Sequence, residues 1–158
     1  MARRERRLKS SPIWSERIRM EIRPYRTHDE EAVVKLWHDC GLVVPWNDPH
    51  RDIERKLKMQ AELFLVAELD GRILGSVMAG YDGHRGWINY LAVHPDRRRQ
   101  GIGRRMMEEA ERRLRAAGCP KINLQVRSKN VVAMDFYRQI GFNEDNVVSF
   151  GKRLVPDD

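Results

Sequence analysis

The chain has 158 residues and only two cysteines, Cys40 and Cys119, far apart and outside any CxxC spacing. That is too few for a disulfide framework or a zinc ribbon. Free thiols in a reducing, cytoplasmic setting are the expectation. The five histidines (His28, His38, His50, His84 and His94) show no metal-ligand spacing, and no metal is expected. No apolar run approaches the length of a membrane-spanning helix, so no membrane partner is expected. The N-terminal stretch lacks the apolar segment of a secretory signal. Repeats and low-complexity segments are missing too.

What is present is a globular composition, 41% hydrophobic and 34% charged, at a length that suits one domain. The net charge of +7 hints at nucleic acid. Its location weakens that hint. Residues 1–19 hold seven basic and two acidic side chains, which account for five of the seven net charges. The body from Met20 onward is nearly balanced. A basic tail can bind nucleic acid or anionic lipid, but a solvated, disordered end is the plainer reading. The expected organisation is therefore a basic extension over 1–19 and one domain over 20–158. Met20 opens the first strand-like segment, which leaves a start at that residue open.

The element pattern follows from periodicity and local punctuation. Met20–Tyr25 alternates like an edge strand. Thr27 and Glu30 have capping-box spacing. Val33, Leu36, Trp37 and Cys40 then form one apolar helical face, closed by Gly41. Asp48-Pro49 starts a second helix. Leu63–Leu69 and Arg72–Tyr81 read as strands joined at Asp70-Gly71, a strong hairpin signal. Trp87–Val93 is the next strand, after a turn over residues 82–86. Ile102, Met106, Met107, Ala110, Leu114 and Ala117 make the stripe of a long helix that Gly118 and Pro120 stop. Lys121–Val126 is a strand, Asn130 caps a helix carrying Ala133, Phe136, Tyr137 and Ile140, and Val147–Leu154 offers a last strand. The order is β-α-α-β-β-β-α-β-α-β. Strand–helix–strand around the long helix implies a parallel crossover, in a mixed α/β (α+β) sheet with helices on both faces.

The most informative stretch runs from Val93 to Arg104. A strand ends, the chain turns, and a helix begins at a glycine pair. Free amides at a helix start carry partial positive charge, and glycine lets a phosphate approach the backbone. Arg97, Arg98, Arg99 and Arg104 add charge around the mouth. On the glycines alone, a phosphate cradle and a plain turn before a basic helix are equal readings. The spacing is neither GxxxxGK[ST] nor GxGxxG.

Arg98-Arg99-Gln100-Gly101-Ile102-Gly103 resembles R/Q-x-x-G-x-G/A, the coenzyme A signature of the GNAT N-acetyltransferases. Leu91-Ala92-Val93-His94-Pro95 resembles the end of that family's fourth strand. Further on, Asn130-Val-Val-Ala133-Met-Asp-Phe136-Tyr137 resembles its N-x-x-A-x-x-F/L-Y segment, and Gly141-Phe142 its G-F ending. The resemblance spans about Glu21 to Leu154. Pro45-Trp-Asn-Asp-Pro49 and Tyr81-Asp-Gly-His-Arg-Gly86 are similar to the small YpeA-type bacterial members.

The resemblance implies a centrally splayed sheet of about six to seven strands flanked by about four helices. It implies acetyl-CoA as cosubstrate. Leu91, Ala92 and Val93 would take the pantetheine arm, Arg98, Arg99, Gln100, Gly101, Ile102, Gly103 and Arg104 the pyrophosphate. An amide near Ala92 or Val93 would polarise the thioester carbonyl. Tyr137 would be the general acid, a phenol that titrates near pH ~10 and so keeps its proton at neutral pH; by helical position alone it reads as a core residue. Asn130 has two readings, helix cap and coenzyme A contact, and both can hold.

Several relatives place a glutamate base where this chain has Trp87. Glu68, Asp82, His84 and an ordered water are left as alternatives. Val44, Trp46, Asn47 and Asp48, with Asp82 and His84, are the candidates for binding an amine acceptor, a small molecule or a peptide. Direct attack in a ternary complex is expected, since neither cysteine lies in a nucleophile-like segment. A homodimer is in keeping with the family. The rival functions are a non-catalytic acyl-CoA sensor, which shares the cradle and lacks turnover, and a nucleic-acid module using residues 1–19.

Overall fold

The structure, a computed structural model, describes residues 19–157. The expectation for the basic extension therefore lies, apart from Arg19, outside the described residues.

The elements in order are β1 (Glu21–Pro24), α1 (Glu30–Asp39), α2 (Pro49–Leu57), β2 (Phe64–Leu69), β3 (Arg72–Tyr81), β4 (Gly86–Val93), α3 (Ile102–Ala116), β5 (Ile122–Leu124) and α4 (Val131–Gln139). Short 3-10 turns precede α1, β2 and the α3 approach. The sheet order is β1-β2-β3-β4-β5. The first three pairings are antiparallel and β4–β5 is parallel, with α3 as the crossover.

Local chemistry sets most boundaries. Asp48 caps α2, its carboxylate accepting from the His50 amide at 2.9 Å, with Pro49 in the first turn. Asp70 and Gly71 take φ of +50° and +78°, as the tight hairpin requires. Asn130 caps α4, accepting from the Ala133 amide at 3.1 Å.

Two cores sandwich the sheet. On one face, Leu65, Ala67, Val77 and Ile88 pack with Met106, Ala110 and Leu114 of α3. On the other, Phe64, Val66 and Met78 pack with Val33 and Trp37 of α1 and Ile53 of α2. Leu114 and Met106 are fully buried, and burial of each contributes about 1.5–3 kcal/mol. Most of the predicted α3 stripe is buried; Ala117 is exposed, because it is the residue on which the helix ends.

Four expectations are corrected. The described sheet has five strands, not six or seven. Val147–Leu154 alternates like a strand but forms no ladder, and Phe150 is 93% exposed. Side-chain contacts hold this segment along β5, through Asp145 just before it to Lys121 and Asn123 and through Ser149 to Gln125. Alternation supplies side chains for two faces, but a strand also needs a backbone partner. The capping box is shifted as well: the Asp29 carboxylate, not Glu30, accepts from the Arg26 amide at 2.8 Å, because a 3-10 turn over Thr27–Asp29 precedes α1. Finally, β5 is half the length read from the sequence, since Gln125 and Val126 leave the β4 ladder.

Candidate active site

The site begins where β4 and β5 part. Their parallel register ends at Ile88↔Leu124, while β4 continues to Val93 with β3 on its other side. The β5-facing backbone groups of residues 89–93 therefore have no strand partner among the described residues.

A bulge marks the same place. Ser76 pairs with Ala92 and Met78 with Asn89, so Tyr90 and Leu91 together face Val77. Tyr90 takes φ of +51°, a costly value for a residue with a side chain. Its surroundings hold it there. The Ser76 hydroxyl donates to the Tyr90 carbonyl at 2.9 Å, and the Trp37 indole donates to Ser76 Oγ at 2.8 Å. The Tyr90 ring stacks on Trp37 at 3.8 Å, and its hydroxyl donates to Asp52 Oδ2 at 2.6 Å. Burial, then the Asp52 carboxylate, pushes the Tyr90 phenol far above its ordinary range. Sequence reasoning missed this network. Trp37 was legible as an apolar helix face, but no local signal linked it to Ser76 or Tyr90.

The cradle follows directly. The chain turns through Pro95–Arg97, Arg99 takes φ of +62°, and Gly101 at φ +80° starts α3. No side chain caps this helix and its first turn holds no acid. The first-turn amides thus keep their outward partial charge for an anion. Gly103 has a second reason to be glycine: a Cβ there would meet Phe136 of α4 at 3.3 Å and Val93 at 3.5 Å. The motif thereby lets α3, α4 and the end of β4 converge. Arg98 and Arg104 lie exposed around the turn, with Arg98 Nε 3.4 Å from the Val93 carbonyl oxygen.

Tyr137 comes from α4 to this region. Its ring meets Phe136 at 5.1 Å and Phe142 at 5.7 Å, both edge-on. Burial pushes its phenol up to about 12. The Asn130 carboxamide oxygen is occupied in capping α4, so the cap reading describes that atom in this structure.

The acceptor candidates divide. Trp46 is 55% exposed, with the Arg127 guanidinium 5.9 Å from its ring centroid. Asn47 accepts from Arg153 at 2.6 Å, and the Asp48 amide donates to Asp157 at 2.8 Å. This loop is therefore joined to the end of the chain. Asp157 is held down to about 2, first by the Arg55 guanidinium and then by the Asp48 amide. Asp82 organises its own turn instead, accepting from the His84 and Arg85 amides at 2.8 and 2.7 Å and from the Trp87 indole at 3.3 Å. Those amides hold its carboxyl below the usual range, which suits a base poorly. Glu68 binds Arg23 at 2.6 Å on the β1–β2 side of the sheet, two strands from β4. His84 is exposed. Among the described residues no cluster of three His, Cys, Asp or Glu could hold a metal ion, and no helix is long and apolar enough to cross a membrane.

Known proteins resemble this chain in sequence and in fold. Residues 25–142 match the model of the Acetyltransferase (GNAT) family. An acetyltransferase of Pectobacterium atrosepticum is 51% identical over 138 residues, covering 87% of this chain and 98% of that protein. One from Sodalis glossinidius is 50% identical over 139 residues, with the same coverage of 87% and 98%. Among solved structures, AAC(6')-Iy in complex with the bisubstrate analogue CoA-S-monomethyl-acetylneamine superposes with a TM-score of 0.71 at 20% identity, over 85% of this chain and 98% of that one. The ribosomal-protein-S18-alanine N-acetyltransferase of Escherichia coli superposes with a TM-score of 0.68 at 24% identity, over 80% and 79%. At such identities the structures speak for the fold alone. The family match spans both motifs and both of the strands that part, and on that ground the chain belongs to the GNAT acetyltransferase family.

Proposed function

We propose that this protein moves an acetyl group from acetyl-CoA to an amine acceptor by direct attack in a ternary complex. The observation that carries this reading is the parting of β4 from β5 after Ile88, beside an uncapped and acid-free α3 N-terminus. The acetyltransferase unit is residues 20–158, in a reducing cytoplasm that suits the free thiols Cys40 and Cys119.

The donor set fits the cosubstrate. The amides from Arg99 to Arg104 hold a diphosphate, with the Arg98 and Arg104 side chains as counter-charges. Leu91, Ala92 and Val93 offer backbone groups to the pantetheine arm. When bound, acetyl-CoA supplies an activated acyl carbon. An Ala92 or Val93 amide then stabilises charge developing on the acyl oxygen. Tyr137 Oη donates its proton toward the leaving sulfur; a phenol near 12 keeps that proton across the working pH range. The amine loses its proton to solvent, directly or by way of His84, because Asp82 and Glu68 are engaged elsewhere. Trp46, Asn47 and Asp48, with Asp82 and His84 of the turn before β4, form the acceptor side. The fold neighbours that are aminoglycoside and ribosomal-protein-alanine N-acetyltransferases span small-molecule and protein amines, and this chain's acceptor is drawn from that class.

The test is a panel of amines with acetyl-CoA, detecting released thiol. Turnover with at least one amine supports the reading. Tight acetyl-CoA binding without turnover on any amine would turn it into the sensor reading. Trp46→Ala is expected to raise the KM for the acceptor and leave acetyl-CoA affinity unchanged.

A further inference from the structure

We propose that Asp157 is a positioning residue for the acceptor: its carboxylate ties the loop over residues 44–48 to α2 and to the β4 bulge, and so sets the affinity for the amine. The inference rests on the acetyl-transfer reading and adds to that site a residue distant from it in sequence.

The start of α2 needs a partner that its own sequence does not supply. Asp48 caps the helix with its carboxylate, but its own amide also requires an acceptor. In a capping box the side chain three residues on reaches back to that amide. Here that residue is Arg51, a cation with no acceptor atom. Asp157 takes the place from 109 residues away, its Oδ2 accepting from the Asp48 amide at 2.8 Å. A carboxylate at this end of a helix also suits the helix dipole. Asp157 Oδ1 accepts from Arg55 Nη2 of the same helix at 2.6 Å. The Asp157 side chain is 3% exposed, whereas Leu154 and Val155 before it stand 85% and 62% exposed. Polar anchors, not apolar packing, hold the segment here.

The acceptor loop depends on those anchors. It makes one turn of its own, the Asn47 amide donating to the Val44 carbonyl at 3.1 Å. Among the described residues its two long-range hydrogen bonds both go to the 153–157 segment. Asn47 Oδ1 accepts from Arg153 at 2.6 Å, and the Asp48 amide donates to Asp157. Trp46, next to Asn47, is thus presented by a loop that is fastened from outside.

The same carboxylate is joined to the parted strands. Arg55 also donates to Asp52 Oδ1 at 3.2 Å, and Asp52 Oδ2 accepts from the Tyr90 hydroxyl at 2.6 Å. Tyr90 is the left-handed residue of the β4 bulge. Every step from the Asp48 amide through Asp157, Arg55 and Asp52 to Tyr90 is therefore a hydrogen bond. One guanidinium shared by two carboxylates fixes the acceptor loop relative to the strand edge that takes the thioester. That spacing decides whether a bound amine meets the acyl carbon. Tyr90 keeps separate holds on Trp37 and Ser76, so loss of Asp157 should free the loop and leave the bulge in place.

The test takes the full chain and an amine that the panel shows to be acetylated. Asp157→Ala is expected to raise the acceptor KM at least ~10-fold, with kcat and calorimetric acetyl-CoA affinity little changed. Asp157→Asn keeps an oxygen for the Asp48 amide and should recover part of the loss. Hydrogen exchange gives a readout without turnover: Asp157→Ala should speed exchange over residues 46–48 and leave β3 and β4 protected. In a Trp46→Ala background Asp157→Ala should add much less than its own effect, because both act on one contact. An acceptor KM equal to that of the wild type would overturn the proposal, and so would additive effects of the two substitutions. A matching loss of acetyl-CoA affinity would also overturn it, by marking a general weakening of the fold. Should the alanine variant fail to fold, Asp157→Asn carries the same comparison with a smaller rise in KM expected, and an unchanged KM there is equally fatal. A wild-type chain silent on every amine would overturn the acetyl-transfer reading and this inference with it. An active wild type indifferent to Asp157 would overturn this inference alone.

Discussion

The β2–β3 half of the sheet and the β5–α4 half differ in how completely they are closed. β2 and β3 are laddered on both sides, and Leu65, Val66, Val77 and Ser76 are fully buried. At the other end β5 has three residues, one partner and no fully buried side chain. The closed half has the task of holding shape, down to the strained Tyr90 that it locks with Trp37, Ser76 and Asp52. The open half leaves backbone and aromatic groups free to receive something. The comparison teaches that the site lies at the seam, where rigid β4 faces a neighbour that leaves it.

The sharpest break of this contrast is on the open side. Tyr137→Phe removes the hydroxyl and leaves the ring contacts, so stability should hold while kcat falls about 10²–10⁴-fold, with the KM for acetyl-CoA little changed. Steady-state kinetics checks it, and an unchanged kcat would return Tyr137 to a packing role.

On the closed side the largest effect should come from Arg23→Met. Arg23 binds Asp29 at 2.8 Å and Glu68 at 2.6 Å, and both it and Asp29 are nearly inaccessible. Removing it leaves the Asp29 charge buried and unpaired, at a cost of about 3–5 kcal/mol by urea unfolding at neutral pH. The pH dependence sharpens the test. Burial by itself would raise the Asp29 carboxyl, but the Arg23 guanidinium and the Arg26 amide overrule it and hold it below its ordinary value. Wild-type stability from this group is therefore present above pH ~4 and lost as the pH falls through the lower folded value. In the variant burial goes unopposed by Arg23, so the deficit should shrink as the pH approaches ~4.

Ser76→Ala works at the seam. It strips the Trp37 indole and the Tyr90 carbonyl of a shared partner, and about 1–3 kcal/mol of stability should go. Because the bulge shapes the β4 edge, acetyl-CoA affinity should fall too, read by calorimetry. Loss of stability without loss of affinity would confine the network to a structural role. Smallest of all, Asn130→Ala should cost about 1 kcal/mol of thermal stability through the lost α4 cap. A fall in acetyl-CoA affinity beyond that would add the second reading of Asn130.

How much of this was legible in the sequence follows the range of each interaction. Asp48-Pro49, Asp70-Gly71 and Asn130 act within a few residues, and each boundary fell where their chemistry put it. The glycine pair before α3 was legible for the same reason. The Tyr90 bulge was not, since it depends on Ser76 fourteen residues away and on Trp37 beyond that. Gly103 read as a phosphate-approach residue; that it also admits Phe136 needed the packing of α4. Val147–Leu154 misled because its apolar side chains suit a strand, while its backbone makes no ladder with any described strand.

The most direct measurement is calorimetric titration of the purified full chain with acetyl-CoA and, separately, with free CoA. One site per chain for each ligand, weakened when Gly103 is replaced by valine, is the predicted result. No heat and no uptake of either would contradict the reading of β4, β5 and the start of α3 as a single binding seam.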